Sequence, residues 1–359
     1  MVLSGGGTGG HVYPGLAVGR ALQRRATEPV DLLYIGVKGR VDERIVPAEG
    51  VPFLAVSGGQ VRVGPLGGLL GLARLSLGTA QAVRALRRFR PDAVFATGGY
   101  ASVPVGIAAR LLRRPLVVFL PDVRPGWSVR LLARLATRVA TASEAALPHL
   151  PRAKASVVGY PVRGEFWSTT REEARRSLGL PAEGPVLLIY GGSLGARAIN
   201  EAVFTQLERL LERCHVMHVT GPADEPAARR VREALPAAVR ERYLPFGYLE
   251  ALPRAMRAAD LAVTRAGAAV LGELPAAGLP AVLIPGVFDG HDQTPNAEFL
   301  ASKGAAVVLP QARLPELAET VVGLLADPER LTAMARAAHG LVRPDAADAL
   351  AGLLMEVAA

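Results

Sequence analysis

One feature constrains this chain more than any other, and it occurs twice: a short apolar strand runs straight into a glycine turn. The first is Val2-Leu3 followed by Ser4-Gly5-Gly6-Gly7-Thr8-Gly9-Gly10. The second is Val186 to Tyr190 followed by Gly191-Gly192-Ser193-Leu194-Gly195. A strand without alternation is buried on both faces, and a glycine turn leading into a helix is how such a strand connects to a parallel neighbour. Each repeat therefore starts a strand–helix–strand series.

The remainder of the chain alternates in the same way. After the first loop the pattern predicts a helix near 14–27, a strand at 31–35, a helix at 38–49 and an extended stretch at 51–56. Residues 66–89 read as helical in their second half, 93–97 as a strand, 101–113 as a helix and 116–120 as a strand. A helix at 127–136 and extended stretches at 139–142 and 156–158 close this series. The second has helices at 171–179, 196–212, 224–235, 250–258, 267–277, 295–303, 314–326, 328–339 and 345–357. Its extended stretches are 186–190, 215–220, 243–246, 261–264, 281–285 and 305–308. This predicts an α/β chain with two doubly wound, Rossmann-like domains joined near 160–170, a division that 359 residues can support. Such sheets bind ligands beyond the carboxyl ends of their strands, so the site is expected in a cleft where the two domains face each other.

Charge narrows the partners without choosing one. The net charge is +9, and only Lys38, Lys154 and Lys303 among the 41 basic residues are lysine. Such a chain suits nucleic acid, anionic lipid or an anionic metabolite. With tryptophan only at Trp127 and Trp167, no stacking surface of interleaved basic and aromatic residues is visible, which disfavours a non-enzymatic nucleotide- or RNA-binding protein. The single cysteine, Cys214, excludes an internal disulfide and is expected in a core. His215 and His218 are three apart in a predicted strand and face opposite ways, so a metal pair is not expected there; no ligand cluster is evident elsewhere, and no cofactor is expected. Glycines break residues 1–19, and Pro104 and Gly98-Gly99 break 93–109, so neither reads as a signal peptide or a span. The chain reads as cytoplasmic, attached to a membrane at most.

Gly5, Gly7 and Gly10 satisfy the dinucleotide spacing, but the second strand ends Tyr34-Ile35-Gly36-Val37 without the carboxylate that a ribose would need. No Gly-Lys-Ser/Thr follows, which excludes a P-loop. What remains is a glycine-lined helix start, whose N–H groups favour anions; a ligand-free turn, or Ser193 acting only as a helix cap, is the plain alternative. His11 follows the first loop. A helix N-terminus keeps imidazole neutral, which suits a general base, the alternative being a structural histidine. Glu273 stands alone in an apolar helix and requires a partner, either a ribose diol or Arg265. The run from Phe288 to Asn296 is rich in hydrogen-bonding side chains, as sugar recognition or an ordinary surface loop would be.

Together these pieces resemble the bacterial glycosyltransferase family that forms lipid II, over nearly the whole chain. The motifs are Gly6-Gly7-Thr8-Gly9-Gly10-His11-Val12-Tyr13-Pro14-Gly15-Leu16-Ala17, Gly98-Gly99-Tyr100, Gly159-Tyr160-Pro161-Val162-Arg163, Gly191-Gly192-Ser193-Leu194-Gly195-Ala196, Arg265-Ala266-Gly267-Ala268 through Glu273, and Asp292-Gln293-Thr294-Pro295-Asn296-Ala297. The resemblance implies a GT-B architecture: an acceptor and membrane-facing domain (1–162), a UDP-sugar donor domain (163–343) and a C-terminal helix (344–359) packing back on the first. It implies inverting transfer of N-acetylglucosamine from UDP-N-acetylglucosamine to the C4 hydroxyl of undecaprenyl-pyrophosphoryl-N-acetylmuramoyl-pentapeptide, at the cytoplasmic face of the cell membrane and alongside other cell-wall synthesis proteins, with no nucleic acid.

By that resemblance Leu249 holds uracil through its backbone and Glu273 holds the ribose. Arg163, Gly191, Gly192 and Ser193 hold the diphosphate. Gly267, Ala268, Asp292, Gln293 and Asn296 surround the sugar. Gly7, Thr8, Gly9, Gly10, Gly98, Gly99 and Tyr100 take the acceptor's pyrophosphate, and His11 is the expected base. The chain departs from the family pattern in three places. Leu120-Pro121-Asp122-Val123 stands where members carry His-Glu-Gln-Asn, so Asp122 is a variant contact; Tyr160 replaces an asparagine; and Asp292 replaces a glutamine. The rivals are another UDP-sugar transferase of this fold with a different lipid or small-molecule acceptor, and a UDP-N-acetylglucosamine epimerase. Residues 62–88 mix Arg62, Arg74, Arg84, Arg87 and Arg88 with leucines, which suits docking on an anionic membrane, or core packing of those leucines.

Overall fold

The computed structural model describes the chain except for residues 8, 59–64, 100, 193–194 and 289–290; for 65–70 and 291 it describes the backbone only. The chain divides into two compact units, Met1–Arg163 with Arg343–Ala359, and Gly164–Val342.

In the first unit the elements are β1 (Val2–Ser4), α1 (Gly9–Arg25), β2 (Leu33–Gly36), α2 (Val41–Ala48), β3 (Phe53–Ala55), α3 (Pro65–Phe89), β4 (Val94–Ala96), α4 (Ser102–Leu111), β5 (Leu116–Leu120), α5 (Trp127–Leu135), β6 (Arg138–Thr141) and β7 (Ala155–Val157). All seven strands are parallel, in the order β3-β2-β1-β4-β5-β6-β7. The central strands are fully buried, Val2, Ile35, Val94 and Val118 facing helix residues such as Leu86, Val105 and Leu132. Apolar burial of this kind contributes about 1.5–3 kcal/mol per large side chain.

The second unit contains α6 (Glu165–Ser168), α7 (Arg171–Ser177), β8 (Val186–Tyr190), α8 (Arg197–Leu211), β9 (His215–Val219), α9 (Glu225–Ala234), α10 (Ala237–Arg240), β10 (Tyr243–Phe246), α11 (Leu252–Ala258), β11 (Leu261–Thr264), α12 (Val270–Ala277), β12 (Ala281–Leu283), β13 (Val287–Phe288), β14 (His291–Asp292), α13 (Thr294–Ser302), β15 (Ala306–Val308), α14 (Leu317–Leu325) and α15 (Pro328–His339). Its six-stranded parallel sheet has the order β10-β9-β8-β11-β12-β15. Cys214 is buried in this core, where burial pushes its thiol up to about 12. The last helix, α16 (Ala346–Ala358), belongs to the first unit and packs on α1, burying Leu350, Ala351 and Leu354.

Several elements differ from the sequence expectation; α6 and α10, of four residues each, were not expected at all. Helix α1 begins at Gly9 rather than near residue 14, so the glycines read as loop form its first turn and Pro14 lies inside it. Helix α3 is continuous from Pro65 despite its early glycines. Further along the helix, at Gly78, an added Cβ would sit 2.0 Å from the carbonyl oxygen of Ser57, just after β3, so close packing requires glycine at that point. Finally, β13 and β14 form an antiparallel pair within the polar run after β12.

Candidate active site

In each sheet the strand order reverses beside the first strand, and the two glycine motifs stand at those reversals. In the first unit β1 lies between β2 and β4, and the chain leaves both β1 and β4 into glycines. The turns interlock. Gly99 has φ +82°, and a Cβ on it would lie 2.4 Å from the Gly6 carbonyl oxygen. Only glycine fits such a left-handed position against another backbone. Thr97 donates its hydroxyl to the His11 carbonyl at 2.7 Å, and Ser102 donates to Gly98 O at 2.7 Å and to Ser4 O at 3.1 Å.

His11 occupies the first turn of α1, half-buried. Its Nδ1 lies 2.8 Å from the carbonyl oxygen of Thr97. A carbonyl only accepts, so Nδ1 carries the proton and donates. In the neutral ring the basic nitrogen is then Nε2. The pairing with Thr97 thus sets both ring orientation and tautomer. Gly9 and Gly10 precede His11 in that turn of α1, Gly7 and Gly99 lie in the turns after β1 and β4, and a Cβ on Gly98 would lie 3.4 Å from the His11 ring. Asp122 follows β5, one strand further along, and is buried. Arg163 closes this unit, its guanidinium 4.6 Å from the centre of the Tyr13 ring. Thr8 and Tyr100 lie outside the described residues.

In the second unit the reversal falls between β8 and β11. Gly191 and Gly192 follow β8; Gly267, Ala268 and Glu273 follow β11; Leu249 follows β10; and Asp292, Gln293 and Asn296 follow β12. These lie along the carboxyl edge of the sheet from β10 to β12, four strand spacings or about 19 Å, the span of an extended ligand rather than of a single anion. Gly195 has φ +78°, and a Cβ there would lie 1.9 Å from Thr220 O, so this turn too requires glycine. Ser193 lies outside the described residues. The N-cap position of α8 is Ala196.

Glu273 is buried in the first turn of α12. Its charge reaches the end of β8: Tyr190 is pushed above its ordinary range first by burial and then by the Glu273 carboxylate. Arg265, the alternative partner, donates to Ile284 O at 3.2 Å and to Gln311 Oε1 at 2.8 Å. Gln293 accepts from Gly286 N–H at 2.9 Å through Oε1, which turns its amide nitrogen toward Gly267. Asn296 donates to Ala266 O at 3.0 Å, and Asp292 accepts from Thr294 N–H at 2.9 Å, at the start of α13.

A buried polar chain beneath the second turn escaped the sequence reading. Asn200 Nδ2 donates to Thr220 O at 2.8 Å and to Asp224 Oδ2 at 2.7 Å. That leaves Oδ1 to accept from His218 Nε2–H at 3.0 Å, and His218 Nδ1 to accept from the Tyr243 hydroxyl at 3.0 Å. Every proton is placed by this logic, and His218 must be neutral. Burial lowers its pKa to about 3 accordingly. A polar residue in an otherwise apolar strand was the available signal.

On another face of the first unit, α3 and α4 enclose a groove of about 730 Å³ lined by Leu75, Thr79, Val83, Arg84, Arg87 and Leu111. Leu72 and Leu77 are exposed on α3, so these leucines are not core. No helix among the described residues is long and apolar enough to cross a membrane.

Two Rossmann-like units with glycine turns at both reversals are the architecture of GT-B glycosyltransferases, and the family matches assign the chain to that class. Residues 1–141 match the glycosyltransferase family 28 N-terminal domain, and residues 186–350 its C-terminal domain. The chain belongs to the family of UDP-N-acetylglucosamine–N-acetylmuramyl-(pentapeptide) pyrophosphoryl-undecaprenol N-acetylglucosamine transferases. It is 39% identical to the member from Roseiflexus sp. (strain RS-1), covering 98% of this chain and 93% of the relative. It is 41% identical to that of Thiobacillus denitrificans, covering 98% and 96%. Among solved structures, MurG of Acinetobacter baumannii superposes with a TM-score of 0.76 at 28% identity, over 99% of this chain and 98% of that one. A UDP-GlcNAc 2-epimerase from Neisseria meningitidis, at 14% identity and a TM-score of 0.70 over 99% and 98%, shares the fold.

Proposed function

We infer that this chain transfers N-acetylglucosamine from UDP-N-acetylglucosamine to undecaprenyl-pyrophosphoryl-N-acetylmuramoyl-pentapeptide, forming lipid II with inversion. The donor's contacts come from the second unit and, by the family resemblance, from Arg163. The Leu249 backbone meets uracil, Glu273 accepts from the ribose hydroxyls, and Gly191, Gly192, Ser193 and Arg163 meet the diphosphate. Gly267, Ala268, Asp292, Gln293 and Asn296 surround the sugar. Fixed N–H donors and the Arg163 guanidinium stabilise the charge that grows on departing UDP.

The first unit takes the acceptor, its pyrophosphate at Gly7, Thr8, Gly9, Gly10, Gly98, Gly99 and Tyr100, with Asp122 as a further contact. The acceptor's C4 hydroxyl attacks the anomeric carbon; its proton passes to His11 Nε2 and UDP leaves with the bonding pair. One displacement converts the α-linked donor to a β-linked product, without a covalent enzyme intermediate. The observation that carries the assignment of the base is the Nδ1–H donated to Thr97, because it leaves Nε2 basic. The exposed leucines and arginines of α3 dock the enzyme peripherally on the cytoplasmic leaflet, where its lipid-borne acceptor resides.

The test is transfer of labelled N-acetylglucosamine to lipid I, with simple lipid acceptors in parallel. His11→Ala is expected to cut kcat by about 10²–10⁴ while UDP binding holds. Equal loss of both would make His11 structural, and transfer to simple lipids alone would refute the acceptor.

A further inference from the structure

We propose that Tyr160 is a positioning residue for His11, acting through the backbone of α1. The argument begins with a proline. In an uninterrupted α-helix the Gly10 carbonyl accepts from the N–H of residue 14. Here residue 14 is proline, inside α1, and has no N–H to give. A proline ring also crowds the carbonyl four residues earlier and tips it away from the helix axis. The Tyr160 hydroxyl, 150 residues further along the chain, donates to that carbonyl at 3.0 Å. It supplies from outside the hydrogen bond that Pro14 removes. The carbonyl belongs to the residue immediately before His11.

Tyr160 is itself well held. It is buried, and its ring meets Phe119 of β5 edge-on at 6.1 Å. Gly159 before it has φ +90°, with space for a Cβ closed by Arg343 at 2.5 Å. Three residues on, Arg163 lies over Tyr13. The segment 159–163 thus grips the first two turns of α1 at two points. With Thr97 accepting from the imidazole and donating to the His11 carbonyl, the turn that carries the base is fixed on three sides. Tyr160 touches no reacting atom in this scheme.

The proposal rests on His11 as base, and the test separates the two. Kinetics with UDP-N-acetylglucosamine and lipid I are compared for the full-length wild type, His11→Ala, Tyr160→Phe, Pro14→Ala and the Pro14→Ala/Tyr160→Phe double variant. Tyr160→Phe keeps the ring packing and loses only the donor. It is expected to lower kcat about tenfold, with KM for the donor and UDP binding within about twofold. Pro14→Ala returns an N–H to the helix, so in that background Tyr160→Phe should cost less than about threefold. A role in packing would not be rescued this way. A normal kcat in Tyr160→Phe beside a crippled His11→Ala overturns the proposal and leaves the base standing, as does a double variant no better than Tyr160→Phe. Normal turnover in His11→Ala removes the base itself. If Tyr160→Phe does not fold, the double variant decides: recovery of both fold and kcat supports the proposal, and failure of either overturns it.

Discussion

His218 gives the second unit a built-in sensitivity to acid. It is fully buried, and both ring nitrogens are committed, one accepting from Tyr243 and the other donating to Asn200. Folding therefore holds its pKa near 3, against an ordinary value of 6.5 in the unfolded chain. The unfolded state binds the extra proton, so stability is complete above pH 6.5 and drains away as pH falls toward 3. Each pH unit in that window costs about 1.4 kcal/mol, so by pH 4 the loss from this one ring is about 3 kcal/mol. A His218→Gln variant keeps a donor toward Asn200 and has no ring to protonate. With Trp127→Phe in both proteins, Trp167 reports on the second unit, and urea midpoints can be followed from pH 7.5 to pH 4. His218→Gln should start less stable and fall less, its pH slope shallower by about 3 kcal/mol across the range. Other groups titrate equally in both and cancel. Parallel slopes would refute the reasoning, since His218 would then be protonated as easily folded as unfolded.

Three further outcomes follow from the geometry. Gly195→Ala forces a Cβ to 1.9 Å from Thr220 O at φ +78°, and should weaken UDP binding by at least about tenfold in calorimetry, with a loss of about 1–3 kcal/mol in unfolding. Glu273→Gln keeps the shape but halves the acceptor capacity for a ribose diol; it should raise KM for the donor about tenfold or more while discriminating less against a 2′-deoxy donor. Leu72→Asp and Leu77→Asp, on exposed positions of α3, should reduce sedimentation with anionic liposomes and leave UDP binding untouched; equal sedimentation would place membrane docking elsewhere.

Much of this architecture was legible because glycine and proline punctuate the chain. The strands Leu116–Leu120, Val186–Tyr190, Tyr243–Phe246 and Leu261–Thr264 lie where apolar runs stop at turn residues. The start of α1 was not legible, because Gly9 and Gly10 favour helix poorly and are held helical by partners remote in sequence. The same reason hid Tyr160: as a motif residue it was only a departure from asparagine, and its meaning required knowing that it reaches Gly10. The Asp289-Gly290 pair is a hairpin signal in the sequence, but two-residue strands are too short to show alternation. The buried polar chain could be suspected from His218 in a strand, yet its partners come from three other elements.

The first unit is stitched from both ends of the chain. Its opening helix packs on α16, with Arg24 reaching Asp348 and Arg138 reaching Glu356. During synthesis, residues 1–163 would emerge without that cover, leaving the apolar flank of α1 wet until residues 346–358 follow. The second unit is continuous in sequence and needs no later segment to complete it. The half translated first would be the last to finish, and a nascent chain stalled before Ala346 should be readily clipped by protease in its amino-terminal half alone.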